Sequence, residues 1–315
     1  MSAIVVNELT KRLGKKVIFS DINLEVLEGE FYAVLGLEGQ GKTTLAKIIF
    51  NYLNPTTGSI NVFDMDCTKD SRLIKESVSY VPEEFIFQDN VRAISLFKKT
   101  LAFHNLKNTE ELNYLVEYFG FNQKVRVIDM TENEKKLFSI INALIVKPRL
   151  LILDEPTKYL SIEDTVKLFD HLNKLKSEEN LTMFMLTDSL VDAQRYCDRG
   201  AFLHDGQIKN TEYLKDKAAN DKIIKIYSEL DSLDRFTDIG ARVIKESVEE
   251  KILYFDGNLN LLSQVIASLN IVNYNIEDSS LSDKISAYYK NVEEVEGWFL
   301  KENLSLPLEK WLRGY

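Results

Sequence analysis

The run Gly36-Leu37-Glu38-Gly39-Gln40-Gly41-Lys42-Thr43-Thr44 reads G-x-x-x-x-G-K-T, a spacing suited to holding phosphate. Backbone N–H groups of such a loop point at phosphate oxygens. Gly36, Gly39 and Gly41 permit the tight path, and the amino end of a following helix at Lys42, Thr43 and Thr44 adds positive potential. Lys42 is expected to reach the β and γ phosphates, and the Thr43 hydroxyl to sit on Mg²⁺. A second run, Leu150-Leu151-Ile152-Leu153-Asp154-Glu155-Pro156-Thr157, ends four apolar residues in two acids. Asp154 would hold the magnesium shell through water. Glu155, beside the γ phosphate, would orient an attacking water. The bland alternative for Glu155 is a solvated acid at a strand end. ATP and Mg²⁺ are the ligands this chemistry implies.

Both runs have the context they need. The apolar residues 31–35 predict a buried strand before the glycine-rich loop, and residues 45–50 a helix after it. Residues 150–153 form an unbroken apolar run, as in a strand covered on both faces. Around them the pattern predicts strands at 4–6, 17–19, 22–26, 59–63, 78–82 and 181–186. Helices are predicted at 73–76, across most of 91–119, from Thr131 through Leu144, at 161–176 and at 189–197. Thr131 followed by Glu134 fits a capping box. Asp205-Gly206 closes a predicted hairpin between 201–204 and 207–208. This alternation predicts an α/β domain with a mixed sheet. The tail reads as a small α+β unit: a helix at 218–233, strands at 241–246, 251–255 and 271–276, and helices at 259–269 and 281–289.

Bulk properties narrow the classes. The chain has 315 residues, enough for one large domain or a large one plus a small one, and a net charge of −10, which argues against a nucleic-acid partner. Cys67 and Cys197 are too few for a disulfide scaffold, and His104, His171 and His204 have no metal-ligand spacing. No secretory leader is read at the amino end, and no stretch nears the roughly 18–20 apolar residues that span a bilayer. The expected location is the cytosol or the cytoplasmic side of a membrane. Trp298, Phe299, Trp311 and Leu312 read first as core of the tail and second as a partner or membrane contact.

Over residues 1–215 the chain resembles the nucleotide-binding subunits of ABC transporters. The resemblance rests on residues 36–44, Pro55, Gly58, residues 150–157, Cys197-Asp198-Arg199, Leu203 and Gly206. It implies an ABC-type P-loop NTPase domain at 1–215, with a helical subdomain at about 88–146, and a C-terminal α+β accessory domain at 216–315. The layout is most similar to separate ATPase subunits that export drugs, lipids or antimicrobial peptides, a subgroup whose extension resembles the tail from about residue 220. Two such domains face each other head to tail, with each ATP between one phosphate loop and the other's serine-glycine-rich signature. Integral membrane permease subunits follow their closure.

Several positions depart from that pattern. The L-S-G-G-Q signature falls on Met130-Thr131-Glu132-Asn133-Glu134, without either glycine and with two acids. Glu132 lacks the close backbone approach of glycine and repels phosphate. A simple helix start is the favoured reading there. The expected glutamine is Glu83, which remains a candidate for nucleotide or metal contact. The switch histidine is Asp188, the aspartate of the opposed loop is Ser161, and the aromatic expected near adenine is Leu13. These departures imply weak or asymmetric hydrolysis, and a second ATP-binding subunit with an intact signature as partner. A degenerate regulatory or scaffold subunit is the alternative. A soluble ABC protein of translation or DNA repair fits less well, given one phosphate loop and the acidic balance.

Overall fold

A computed structural model describes residues 1–84, 90–214, 221–228, 230, 232–247, 249–279, 283, 286 and 287. The chain divides into two units, Met1–Lys215 and Asp216–Tyr315.

The first unit opens with two long strands, β1 (Ser2–Leu13) and β2 (Lys16–Leu27). With β4 (Thr57–Val62) and β5 (Met65–Asp66) they form an antiparallel sheet in the order β2-β1-β4-β5. The expected short strand at 4–6 is therefore part of a twelve-residue one, and the strands at 17–19 and 22–26 are a single element. Register shifts along the β1–β2 pairing explain the interrupted alternation that made them read as separate pieces. The polar turn expected at 11–16 shrinks to Gly14 and Lys15.

The second sheet has the order β10-β9-β3-β8-β7-β6. Its strands are β3 (Phe31–Leu35), β6 (Val78–Val81), β7 (Leu150–Asp154), β8 (Thr182–Thr187), β9 (Arg199–His204) and β10 (Gln207–Tyr213). All pairings are parallel except the β9–β10 hairpin. Every residue of β3, β7 and β8 is buried, as their continuous apolar runs require. Helix α1 (Lys42–Ile49) packs between the two sheets: Leu45, Ile48 and Ile49 share one core with Ile4, Val26 and Ile60 on one side and Val34, Ile152 and Phe184 on the other.

The remaining helices of this unit are α2 (Ser71–Ser77), α3 (Ala93–Phe103), α4 (Glu110–Tyr118), α5 (Glu132–Leu144), α6 (Ile162–Glu179) and α7 (Leu190–Tyr196). The predicted helical stretch at 91–119 is broken at 104–109. On α6, His171 is 3% exposed, and neither ring nitrogen has a hydrogen-bond partner. It lies against the rings of Tyr114 and Tyr118 at 5.8 and 5.3 Å between centroids. Burial pushes its pKa down. The unfolded chain therefore takes up a proton near pH 6.5 that the folded chain refuses, and stability falls as pH drops through that value. His171→Leu should flatten the loss of thermal stability between pH 7 and 5.5, read by melting curves across that range.

In the second unit, β11 (Lys222–Ile226), β12 (Arg242–Glu246), β13 (Lys251–Phe255) and β14 (Tyr274–Asp278) form an antiparallel sheet in the order β12-β13-β11-β14. Helices α8 (Asp234–Asp238) and α9 (Leu259–Ser268) share a core with it. The helix expected at 218–233 is corrected to a strand over 222–226. Ile224 and Ile226 enter the core shared with α8 and α9, while Ile223 joins a separate cluster with Tyr254, the alternation of a sheet. The strand expected at 271–276 begins at Tyr274 and runs to Asp278. The predicted helix at 281–289 and the tryptophans at 298 and 311 fall almost wholly outside the described residues.

Candidate nucleotide site

Strands β3, β8 and β7 lie side by side and parallel, so the loops leaving their carboxyl ends meet at one edge of the sheet. Such an edge is where open α/β sheets hold ligands. The glycine-rich loop leaves β3, Asp154 and Glu155 end β7, and Thr187 ends β8.

Two glycines are sterically required. Gly41 has φ +104°, and a Cβ there would stand 2.6 Å from Ile18 Cγ2. A Cβ on Gly36 would stand 2.7 Å from the Leu203 carbonyl oxygen. Gly41 caps α1 without any side-chain hydrogen bond, at the helix amino end that carries Lys42, Thr43 and Thr44. Gly39, with φ +83°, lies at the exposed tip.

Lys42 is 6% exposed. Its Nζ donates to the carbonyls of Gly36 at 2.5 Å and Leu37 at 3.3 Å, and pairs with Glu155 Oε1 at 2.9 Å. Glu155 is held from the other side: Thr187 Oγ1 donates to Oε2 at 3.1 Å, and the Asp188 N–H at 3.2 Å. Its backbone has φ +43°, a left-handed conformation unusual for glutamate, fixed by its N–H donating to the Leu186 carbonyl at 2.8 Å. Burial raises its pKa, Lys42 opposes the rise and Asp188 adds to it.

Asp154 is completely buried. Tyr80 Oη donates to Oδ2 at 2.9 Å, and Oδ1 is buried with no hydrogen-bond partner. Burial raises this carboxyl's pKa, against the pull of the Thr43 and Tyr80 hydroxyls. An orphaned carboxylate oxygen costs free energy unless something takes it up. Among the described residues no group of three or more His, Cys, Asp or Glu could hold a metal. A cation near Oδ1 would draw its other ligands from the Thr43 hydroxyl, water and phosphate, the usual habit of Mg²⁺. The residues present fit that ion and a nucleotide's phosphates.

Residues 19–158 match the family described as ABC transporter. This segment belongs to that family. The chain is 27% identical over 304 residues to the uncharacterised ABC transporter ATP-binding protein YdbJ of Bacillus subtilis, covering 91% of this chain and 96% of that protein. It is 27% identical to the Nod factor export ATP-binding protein I of Rhizobium etli, over 74% of this chain and 77% of that one. It is 25% identical to the methionine import ATP-binding protein MetN of Campylobacter jejuni, over 65% and 69%. A solved ATP-binding subunit of an ABC transporter superposes with a TM-score of 0.64 at 23% identity, over 68% of this chain and 91% of that one. The first unit thus has the ABC nucleotide-binding fold.

Three further parts of this ABC domain bear on its chemistry. Where the resemblance places the signature, at residues 130–134, Thr131 caps α5 in a complete capping box with Glu134. Asn133 is engaged at both ends of its amide: Oδ1 accepts from the Ser161 N–H at 2.8 Å, and Nδ2 donates to Asp164 Oδ2 at 2.9 Å. Glu83 forms an ion pair with Lys158, which occupies one oxygen of that candidate metal ligand. Leu13, 48% exposed, stands beside the β1–β2 turn.

Three contributors escaped the sequence reading. Tyr80 and Thr187 hold the two acids from neighbouring strands, and nothing in a strand's alternation marks a hydroxyl as a carboxylate's donor. Lys136 was findable. It lies on the same stripe of α5 as Ile140 and Ala143, where a lysine must be buried. It is 3% exposed, with Nζ donating to the carbonyls of Pro82 at 2.8 Å, Glu83 at 3.1 Å and Asp154 at 3.1 Å. Burial pushes its pKa down to about 8, against the pull of Asp154, Glu155 and Glu83.

Proposed function

We propose that this chain is the ATP-binding subunit of an ABC exporter and couples nucleotide-dependent dimer closure to transport through separate integral membrane permeases. Weak or asymmetric ATP hydrolysis belongs to the same reading. ATP phosphates would lie on Gly36, Gly39, Gly41, Lys42, Thr43 and Thr44, and Leu13 would pack near the base. Mg²⁺ would rest on Thr43 and, partly through water, Asp154, with Glu83 available once released from Lys158. When bound, Mg²⁺ offsets phosphate charge. Glu155 would orient the attacking water after Lys42 turns from it to phosphate.

The observation that carries the reading is the pairing of an assembled phosphate and carboxylate site with a signature segment engaged within its own chain. Glu134 and Asn133, tied to Thr131, Ser161 and Asp164, leave little to cradle another subunit's γ phosphate. A second ATP-binding subunit with a glycine-containing signature would cover the Lys42 site instead. Similar proteins serve both export and import by name. Export is favoured by the tail's likeness to the exporter extension. Among the described residues no helix is long and apolar enough to cross a membrane, which suits a peripheral subunit held at the cytoplasmic side by its permease. A regulatory or scaffold role is the second reading, favoured by the Lys42–Glu155 and Glu83–Lys158 pairs, which hold the site's own groups away from ligand.

Affinity purification from membranes should recover a permease and a second ATPase. Calorimetry on the isolated chain should show Mg-ATP binding, with hydrolysis accelerating at least about tenfold when the second ATPase is added. Brisk hydrolysis by the chain alone would overturn the asymmetric reading, and failure to bind Mg-ATP would overturn the whole.

A further inference from the structure

An ammonium has three protons to donate, and Lys136 places all of them on main-chain carbonyls. Those carbonyls belong to the ends of two strands. Pro82 and Glu83 follow β6, and Asp154 closes β7. Lys136 itself stands near the start of α5, one turn after the capped Thr131. One buried side chain thus pins the starting points of Glu83 and of the Asp154–Glu155 pair to the helix that carries the degenerate signature.

With its protons spent on carbonyls, the ammonium acts on the surrounding carboxylates through its field. The charged groups facing it are Asp154, Glu155 and Glu83, which attract it, and Lys158, which repels it. Of the three acids gathered at this sheet edge, Glu155 pairs with Lys42 and Glu83 with Lys158, while Asp154 Oδ1 has no hydrogen-bond partner to offset its charge. The Lys136 ammonium, fixed on the Asp154 carbonyl, offsets part of that charge before any divalent ion enters.

We propose that Lys136 is a resident counter-cation and positioning residue of the nucleotide site, holding the carboxylate cluster assembled in the metal-free state and weakening the site's affinity for a free divalent cation. The proposal rests on the reading of Asp154 as the magnesium acid. It gives the site a reason to take its metal together with nucleotide: ATP brings the negative charge that the metal needs, and without it Lys136 opposes the ion's entry.

The test is Mn²⁺ binding to the full chain at pH 7, followed by electron paramagnetic resonance, without nucleotide and with ATP. Lys136→Met keeps the apolar stem and removes donors and charge. It should tighten nucleotide-free Mn²⁺ binding about tenfold, while Lys136→Arg stays at the wild-type value. Proton competition cannot reverse this sign, because a divalent ion gains twice what a proton gains when the same positive charge is removed. Should Lys136→Met not fold, Lys136→Gln carries the same prediction with an amide in place of the charge. If the neutral variant binds Mn²⁺ no more tightly than wild type, or if Lys136→Arg tightens it equally, the counter-cation role is wrong while the nucleotide site stands. A wild-type chain that takes up no Mn²⁺ even with ATP overturns both.

Discussion

Lys42→Met should lower Mg-ATP affinity at least about a hundredfold, on the order of 3 kcal/mol, because charged hydrogen bonds to phosphate are lost from a dry site. It should also destabilise the nucleotide-free protein. Lys42 and Glu155 are a buried ion pair at 2.9 Å, and their side chains are 7% and 11% exposed. Removing one partner of such a pair leaves a charge stranded, at a cost of about 3 kcal/mol. Glu155 keeps two donors, from Thr187 and Asp188, but these do not replace a cation. Adding Glu155→Gln to Lys42→Met should recover most of the stability and none of the binding. Denaturant melts and calorimetry on the two single variants and the double variant separate these effects. A Lys42→Met chain with wild-type affinity would mean that this loop does not hold the ATP phosphates.

The glycine-rich loop after β3 and the position of the acids ending β7 were legible because their determinants are local. Five residues of unbroken apolar strand fix where a loop begins, and the glycines are needed for reasons of a few ångströms. The capping box at Thr131 was legible for the same reason: its partners are three residues apart. Contacts between distant segments were not. That Asn133 would be engaged by Ser161 and Asp164, or Glu83 by Lys158, depends on which loops the sheet order brings together. The strand at 222–226 was misread as helix because Lys-Ile-Ile-Lys-Ile satisfies both periodicities over five residues. The choice falls to β13 and β14, which pair with it on either side.

The same long-range contacts change how residues 130–134 read. A sequence with Glu132 and Asn133 in place of the two expected glycines reads as a loss. In the folded chain Thr131, Asn133 and Glu134 are each engaged, capping α5 and tying it to the amino end of α6, where Ser161 and Asp164 form a second cap. These contacts fix two helices of the chain to one another. Lys136, one turn further along α5, then carries that fixed position to Asp154. In the proposed pair of subunits, the glycine-rich loop would receive phosphate, while α5 would support Asp154, the acid proposed to hold the metal.

Asp154→Asn should abolish the strengthening of ATP binding by Mg²⁺, a loss of about tenfold or more, worth roughly 1.4 kcal/mol at the lower bound. The nucleotide-free protein should become more stable. The sign follows from the raised pKa. Burial makes the folded state hold Asp154's proton more tightly than the unfolded chain does, with Thr43 and Tyr80 only partly opposing. Between the unfolded and folded pKa values stability therefore falls as pH rises, and the full cost is present above both. Asparagine keeps an oxygen for the Tyr80 hydroxyl, leaves the main-chain carbonyl that Lys136 grips, and removes the charge. Its gain in melting temperature should shrink as pH is lowered toward the acid range, where aspartate too becomes neutral. A variant that loses stability, or that still responds to Mg²⁺ as wild type does, would mean that the orphaned oxygen of Asp154 is not waiting for a cation.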